Sequence, residues 1–372
     1  MIVPIPVLHL LNGEQYSGLE RVVDHLAAAA PAHGFRLVLG LLKPDRMRGR
    51  LAAREAELHD LPMRSRLDLA VARDAATLAR DAGCRLLHSH TVRSALIARQ
   101  VQARTGLPWL HQVHSPALRE STNRALNLAN HVAESLLLRH ADRIVTVSRS
   151  LAAHVARHYR IPAARIGIVP NGVAVSQPRP PREGTPIVLC LGLYRPRKGV
   201  EVLLQAAARL RDGGLPFQLR LAGEFVDAAY EATVRHRVAR LGLRQFVAFR
   251  GFVADVPTEL EQAHLLVVPS LYGEGLPMVA LEAMARAVPV VASDIDGLRE
   301  LGEGGAALLV PPGDDAALAA AIARLATDAS LRERIGGAGW ERQRRDYAIE
   351  SQHARLFESY RELAVGERRK TP

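Results

Sequence analysis

The stretch GEGLPMVALEAMARAVPVVAS, Gly273 to Ser293, holds one carboxylate, Glu274, in a loop bounded by glycine and proline, and a second, Glu282, eight positions later inside an apolar helix. At about 100° per residue, eight steps come back nearly to the same helix face, so the spacing can aim both carboxylates at one ligand. The glycines and Pro277 predict a loop at the helix start, where the N–H groups of Leu276, Met278 and Val279 can bind oxygens while Pro277 donates none. Acceptors beside such donors suit the hydroxyls of a polyol. The plainer alternative makes Glu274 a charge at a helix N-terminus and Glu282 an arginine-paired surface residue. Val279, Ala280, Leu281 and Ala283 leave little solvated face around Glu282, which favours a ligand.

A second stretch, CLGLYRPRKGV from Cys190 to Val200, leaves an apolar strand, turns through Gly192, presents Arg195, Arg197 and Lys198, and enters a helix near Gly199. Backbone amides, a helix dipole and a lysine point charge all favour negative charge at such a junction, so this loop suits a phosphate. A polyol beside a phosphate is a sugar nucleotide. LRLAGE ends another strand at Gly223, and FRGFV ends a third. At the latter, backbone amides and carbonyls could read a nucleobase edge while Phe252 or Val253 covers its face.

These residues need a scaffold that lines up strand ends. Short apolar runs alternate with helix-period segments along the chain, the signature of βαβ units and a parallel sheet. The first half is expected to hold strands at 6–11, 37–42, 86–88, 109–113, 144–147 and 166–169, with helices between them such as 19–30 and 123–139. QPRPPREGTP, residues 177–186, cannot donate a full set of backbone hydrogen bonds and is the predicted linker. Strands are then expected at 187–193, 218–222, 247–250, 265–268, 288–292 and 307–309, with helices at 200–211 and 231–241. The expected architecture is α/β, two doubly wound Rossmann-like domains over 1–176 and 187–345, facing across a cleft. Ligands of such sheets sit beyond the carboxyl ends of the strands, which places the site in that cleft. A stripe of Tyr347, Ile349, His353, Leu356, Phe357, Tyr360 and Leu363 predicts a last helix over 346–364, followed by VGERRKTP as a disordered basic tail.

Composition bounds the remaining choices. A chain of 372 residues suits two domains, and 48% hydrophobic content with only 4% aromatics fits an α/β protein with many small-residue helix contacts. Cys84 and Cys190 sit in apolar runs and read as buried thiols, which fits a reducing compartment. MIVPIPVLHLLNG has no basic leader, and two prolines break its apolar run, so it predicts a first strand and no signal peptide. No apolar run approaches the roughly 20 residues that span a bilayer. The expected location is cytoplasmic, or peripheral at the inner face of the plasma membrane. The formal net charge of +11 is lopsided, because residues 1–176 carry 23 Lys and Arg against 13 Asp and Glu. A one-sided field attracts phosphorylated substrates or acidic lipid head groups. Dispersed basic residues and scarce aromatics argue against nucleic acid, and an arginine-rich solvated surface is the plainer account of the charge.

The Glu-x7-Glu loop and helix, RKG before the second domain's first helix, VPNGV (Val169 to Val173) and SDIDGLREL after a late strand resemble glycosyltransferase family 4. NGEQYSGLERVVDHLA resembles the family's glycine loop and first helix, LLHSH and HQVHS its acceptor-domain strand ends, and ADRIVTVSRSLA its serine-ended strand and helix. The similarity covers nearly the whole chain. It implies the GT-B fold, with a last helix crossing back to the first domain, and a retaining transferase that needs no metal. It implies that Lys198, helped by Arg195 or Arg197, neutralises the donor diphosphate as the leaving group departs. Glu274, with the amides of Gly275, Leu276, Met278 and Val279, is implied to hold the transferred sugar's hydroxyls, and Glu282 to accept from the ribose. Gly223, Phe252 and Val253 are expected at the nucleotide, the loop around Gly18 at the diphosphate, and His114 near the sugar. In the family's mechanism the acceptor attacks on the face that the leaving group departs, and a diphosphate oxygen helps to take its proton, so no side-chain nucleophile is required.

The donor is expected to be a nucleotide-diphosphate sugar, UDP first with GDP and ADP open. The acceptor is expected to be a glycan or lipid-linked sugar in bacterial lipopolysaccharide or exopolysaccharide synthesis. A nucleotide-sugar epimerase or hydrolase, an inverting transferase with His114 as base, and a non-catalytic sugar-nucleotide-binding protein are the alternatives. Two departures stand out: Leu193 occupies the place where the family often has arginine, and SGLE replaces paired glycines. Asp294 and Asp296 match an Asp-x-Asp metal pair but lie where the family has a substrate-facing loop. His88 and His90 point to one side of an extended strand with no third ligand evident in sequence, so no zinc is expected. Neither N-terminal glycine cluster fits G-x-G-x-x-G, which argues against a dinucleotide dehydrogenase.

Overall fold

The structure is a computed structural model that describes residues 3–53, 56–65, 68–119, 123–180 and 182–365. It contains two compact units, Met1–Asn171 with Glu350–Pro372, and Gly172–Ile349. The end of the tail expected to be disordered, residues 366–372, lies outside the described residues.

In the first unit the strands are β1 (Ile5–Leu11), β2 (Phe35–Leu41), β3 (Glu57–Asp60), β4 (Leu86–Ser89), β5 (Trp109–Val113), β6 (Arg143–Thr146) and β7 (Ile166–Ile168). They form a parallel sheet of order β3-β2-β1-β4-β5-β6-β7. The crossover helices are α1 (Gly18–Ala29), α2 (Arg46–Arg50), α3 (Val71–Asp81), α4 (Val92–Thr105), α5 (Arg124–Leu137) and α6 (Arg149–His158). The strands are largely buried, as an interior parallel sheet requires, and therefore read as near-continuous apolar runs. β3 was not expected from sequence. ELHD at this sheet edge is half-exposed and polar, so it carries no apolar signal.

The second unit repeats the plan with β8 (Ile187–Leu191), β9 (Gln218–Ala222), β10 (Val247–Gly251), β11 (Leu265–Val268), β12 (Val290–Ser293) and β13 (Leu308–Val310), in parallel order β10-β9-β8-β11-β12-β13. Its helices are α7 (Val200–Asp212), α8 (Ala228–Arg240), α9 (Val256–Gln262), α10 (Met278–Met284), α11 (Asp296–Gly302), α12 (Asp315–Thr327) and α13 (Ala329–Asp346). Both sheets reverse their strand order once, between β1 and β4 and between β8 and β11, and a crevice opens at the carboxyl ends of such a pair.

The chain passes from one unit to the other ahead of the expected boundary at Ser176. Val173 bridges Ala348, and its carbonyl accepts from Gln343 Nε2 at 2.7 Å, while the Ser176 carbonyl accepts from Trp340 Nε1 at 2.8 Å. These contacts hold residues 172–176 in the second unit. The last helix, α14 (Ile349–Val365), belongs to the first unit, where Leu356, Phe357 and Tyr360 complete the core around β1 and β2. Tyr347, expected on that helix, lies before it in the break after α13. Cys84 and Cys190 are free and buried.

Candidate active site

Gly199 ends the turn after β8 with φ of 67°, and a Cβ there would lie 2.0 Å from the Pro269 carbonyl oxygen. Glycine alone lets these two backbones touch. The close approach brings the loop after β8 onto the loop after β11, where the Leu271 amide donates to the Arg197 carbonyl at 2.8 Å. Lys198 Nζ then donates to Glu274 Oε1 at 2.6 Å, and Ser270 Oγ donates to the same oxygen at 2.7 Å. Arg197 lies 3.4 Å from that oxygen and donates to the carbonyls of Tyr272 and Gly273 at 3.3 and 2.9 Å. Burial alone would push the Glu274 carboxyl up, but Lys198 and Arg197 with the Lys198 and Ser270 hydrogen bonds outweigh it and hold it at about 2. The carboxylate is therefore charged, and these contacts leave Oε2 aside.

Glu282 lies on α10 and is buried, at 4% exposure, which rules out the surface role that sequence left open. The shared helix face does not survive: α10 begins at Met278, so Glu274 stands in the preceding loop and not on the helix. That loop is held from behind by α11, whose Gly297 packs so closely that a Cβ would sit 2.1 Å from the Gly275 carbonyl oxygen. Gly275, Leu276 and Met278 are buried and Val279 is partly exposed.

Arg195, partly exposed, starts the turn of Pro196–Lys198, and Gly223, Phe252 and Val253 follow β9 and β10 at the same edge of the sheet. Gly223 answers to packing: a Cβ there would meet the Gly192 carbonyl oxygen at 1.9 Å. Phe252 is 41% exposed. Asp294 and Asp296 flank Arg299, whose guanidinium lies 2.6 and 3.8 Å from their carboxylates. Sequence reasoning missed Ser270, three residues before the quoted Gly273, and Tyr194, whose buried hydroxyl donates to the Cys190 carbonyl at 2.6 Å and fixes the path of the loop after β8.

In the first unit Gly18 is the first residue of α1 and not a loop residue. The Glu20 carboxylate sits at this helix start, accepting from the Ser17 amide at 3.1 Å and the Ser17 hydroxyl at 2.9 Å, and burial pushes its pKa up. An anion arriving there meets a carboxylate as well as amides. His114 follows β5, is partly exposed, and lies 3.1 Å from His90; burial, with the neighbouring His111, pushes it down to about 3. His9 pairs with His88 across β1 and β4, which supplies the third imidazole that sequence lacked. Potential ligand atoms of His9, His88 and His90 lie within 4.8 Å of one another, the one such group among the described residues.

Two family models cover most of the chain: "Glycosyltransferase Family 4" matches residues 16–177 and "Glycosyl transferases group 1" matches residues 185–328. The chain is 35% identical over 253 residues to a phosphatidyl-myo-inositol mannosyltransferase of Mycobacterium leprae, covering 64% of this chain and 65% of that protein. It is 30% identical over 281 residues to a D-inositol 3-phosphate glycosyltransferase of Streptomyces scabiei, covering 68% and 62%. It thus spans slightly less than two thirds of the length of these relatives. Sucrose-phosphate synthase from Thermosynechococcus elongatus superposes with a TM-score of 0.86 at 23% identity, covering 98% of this chain and all of that one. Anabaena HepE in complex with UDP-glucose superposes at 0.84 with 19% identity, covering 96% and 100%. These likenesses show the fold, which is GT-B.

Proposed function

The chain belongs to glycosyltransferase family 4, and on that premise we propose that it moves a sugar, with retention of configuration and without a metal, from a nucleotide-diphosphate sugar to a glycan or lipid-linked acceptor. The observation that carries the reading is the cluster of Arg197, Lys198 and Glu274 at the strand-order reversal of the second unit. Two cations beside a glycine turn and a helix start suit a diphosphate. Lys198 and Arg197, helped by Arg195, stabilise the charge that develops on the leaving diphosphate. Glu274 is charged and keeps Oε2 for a hydroxyl of the transferred sugar, with the amides of Gly275, Leu276, Met278 and Val279 alongside. Glu282 receives the ribose hydroxyls, Gly223, Phe252 and Val253 border the base, and Gly18 and His114 serve from the first unit. An oxygen of the departing diphosphate takes the acceptor proton.

UDP is the preferred carrier, supported by the HepE complex with UDP-glucose. The M. leprae relative, named as a mannosyltransferase of phosphatidyl-myo-inositol, supports a lipid-linked acceptor, which suits lipopolysaccharide or exopolysaccharide synthesis. A role at an anionic membrane surface is favoured by α5: Leu128, Val132 and Leu136 are 57%, 48% and 52% exposed at four-residue spacing, with exposed Arg124 and Arg139 at either end of the run. No helix among the described residues is long and apolar enough to cross a membrane.

The test is binding and turnover of UDP-, GDP- and ADP-sugars with and without EDTA, on wild type and Glu282→Ala, with the anomeric configuration of any product read by NMR. Selective binding that survives EDTA and weakens in the variant supports the reading. Metal-dependent binding, an inverted product, or no binding of any donor sinks it.

A further inference from the structure

Four histidines of the first unit, His9, His88, His90 and His114, form with Tyr360 one unbranched hydrogen-bonded line. His114 Nε2 meets His90 Nδ1 at 3.1 Å, and His90 Nε2 meets His9 Nδ1 at 3.1 Å. His9 Nε2 meets the Tyr360 hydroxyl at 3.0 Å, and that hydroxyl meets His88 Nδ1 at 2.6 Å. The line stops at His88 Nε2, which is buried and without a hydrogen-bond partner among the described residues. Its other end, His114, is partly exposed. Tyr360 reaches this line from α14, His9 and His88 lie in the neighbouring strands β1 and β4, and His90 and His114 lie just beyond the ends of β4 and β5.

Proton counting restricts what this line can be. Burial keeps all four imidazoles neutral, with His88 and His90 held well below their usual value and His9 and His114 at about 3. A neutral imidazole has one N–H and one bare nitrogen, and a phenol has one O–H. Every link needs one proton, and a Tyr360 oxygen that accepted from both neighbours would leave its own buried O–H without an acceptor, so all the links donate in the same direction. Donation towards His88 makes all four rings Nε2–H and leaves a buried N–H at His88 with no acceptor. Donation towards His114 makes all four Nδ1–H and leaves only a bare nitrogen unmet at the buried end. Orphaned buried N–H groups are the rarer and costlier kind, which biases the line towards His114 by roughly tenfold or more.

We infer that Tyr360, His9 and His90 form a proton-ordered relay that fixes His114 as its Nδ1–H tautomer, so that His114 presents a hydrogen-bond donor and not a base. This rests on the placement of His114 at the sugar. It gives that placement a chemical sense: His114 donates to a sugar oxygen and takes no proton from the acceptor, as a retaining transfer requires. The same geometry weighs against a metal between His9, His88 and His90, because both nitrogens of His9 and of His90 are already committed to the line. His111, hydrogen-bonded at 2.7 Å to Ser89, stands beside the line and outside it.

Long-range 1H–15N correlation spectra of the full chain labelled at histidine read each tautomer directly. The expected result is Nδ1–H at His9, His88, His90 and His114 together; Nε2–H or mixed forms overturn the relay, whatever the activity. His90→Leu should release His114 to a mixture of tautomers, with the bias falling roughly tenfold; a His114 that stays wholly Nδ1–H overturns the inference. Tyr360→Phe, a milder change, should free His88 alone while the other three rings hold. Unchanged His88 would count against the line. Displacement of the His9, His88 and His90 signals by stoichiometric Zn2+ would replace the relay with a metal site. A uniform Nδ1–H set in which saturating UDP-glucose leaves His114 unmoved upholds the relay and removes His114 from the sugar site.

Discussion

Lys198 donates to Glu274 Oε1 across 2.6 Å although the two residues are 76 positions apart in sequence. Topology makes the pair: β8 and β11 are neighbours at the one place where the strand order of the second unit reverses, so the loops that leave them open side by side. The lysine is thus already oriented before any diphosphate arrives, and its side chain is only 25% exposed.

Lys198→Ala is expected to lower kcat by roughly 10²- to 10³-fold, the usual loss when one donor to a developing oxyanion is removed. The affinity for the nucleotide sugar should change less, because Arg197 and the backbone amides remain. Steady-state kinetics on the preferred donor separates the two quantities, and an unchanged kcat would exclude the electrostatic role.

Glu274 also imposes a pH dependence on stability. Its folded value of about 2 lies below the ordinary 4.5, so the folded protein holds fewer protons than the unfolded chain in between. The stabilisation is therefore complete above about 4.5 and is lost as the pH falls towards about 2. Urea midpoints taken from about pH 5 downwards should fall more steeply for wild type than for Glu274→Gln, and parallel curves would refute the assignment.

Glu282→Ala is expected to weaken nucleotide-sugar binding by about tenfold or more, the loss of charge-assisted hydrogen bonds to a ribose. EDTA should leave both affinities where they are. Isothermal titration gives both numbers, and an equal weakening of the free sugar but not of the nucleotide would move Glu282 to the other end of the donor.

Gly199→Ala is expected to cost about 1–3 kcal/mol through backbone strain alone, and more because the added carbon meets the Pro269 carbonyl. Since the displaced residue adjoins Lys198, donor affinity should fall along with the melting temperature. Gly34, with φ of 80° and nothing within 4 Å of an added Cβ, is the control: alanine there should lower stability without touching binding.

The lesson for reading such chains is uneven by kind of residue. The fully buried strand Trp109–Val113 and the strand Gln218–Ala222, whose Leu219 and Leu221 are buried between partly exposed Gln218 and Arg220, were legible to the residue, because the apolar residues that face the core mark them. Glu274 and Lys198 were legible because their loops are punctuated by glycine and proline. The contact between them was not, since spacing along a chain says nothing about which strands become neighbours. The eight-residue interval between Glu274 and Glu282 is helical only in number, because the glycines and Pro277 keep Glu274 in the loop before α10, where the 100° step does not apply. His9 and Tyr360 were invisible as partners: 351 positions separate them, His9 lying in the apolar run of the first strand and Tyr360 in the stripe of the last helix.

Phe357→Ala is expected to destabilise the first unit by about 3–5 kcal/mol, since the ring is fully buried and stacks on Phe35 with centroids 5.3 Å apart. Calorimetry should show one unit's transition moving down while the other's stays, and a shift of both together would mean that they unfold as one.

The path of α14 orders events during synthesis. Leu356, Phe357 and Tyr360 belong to the core of the first unit, yet the ribosome makes them only after the whole of Gly172–Ile349. The half of the protein that is begun first therefore finishes last. While its sheet waits for the final helix, the second unit has every residue it needs to fold, and the nascent first unit carries an open apolar groove along β1 and β2 that a chaperone has to cover or that the arriving helix must close.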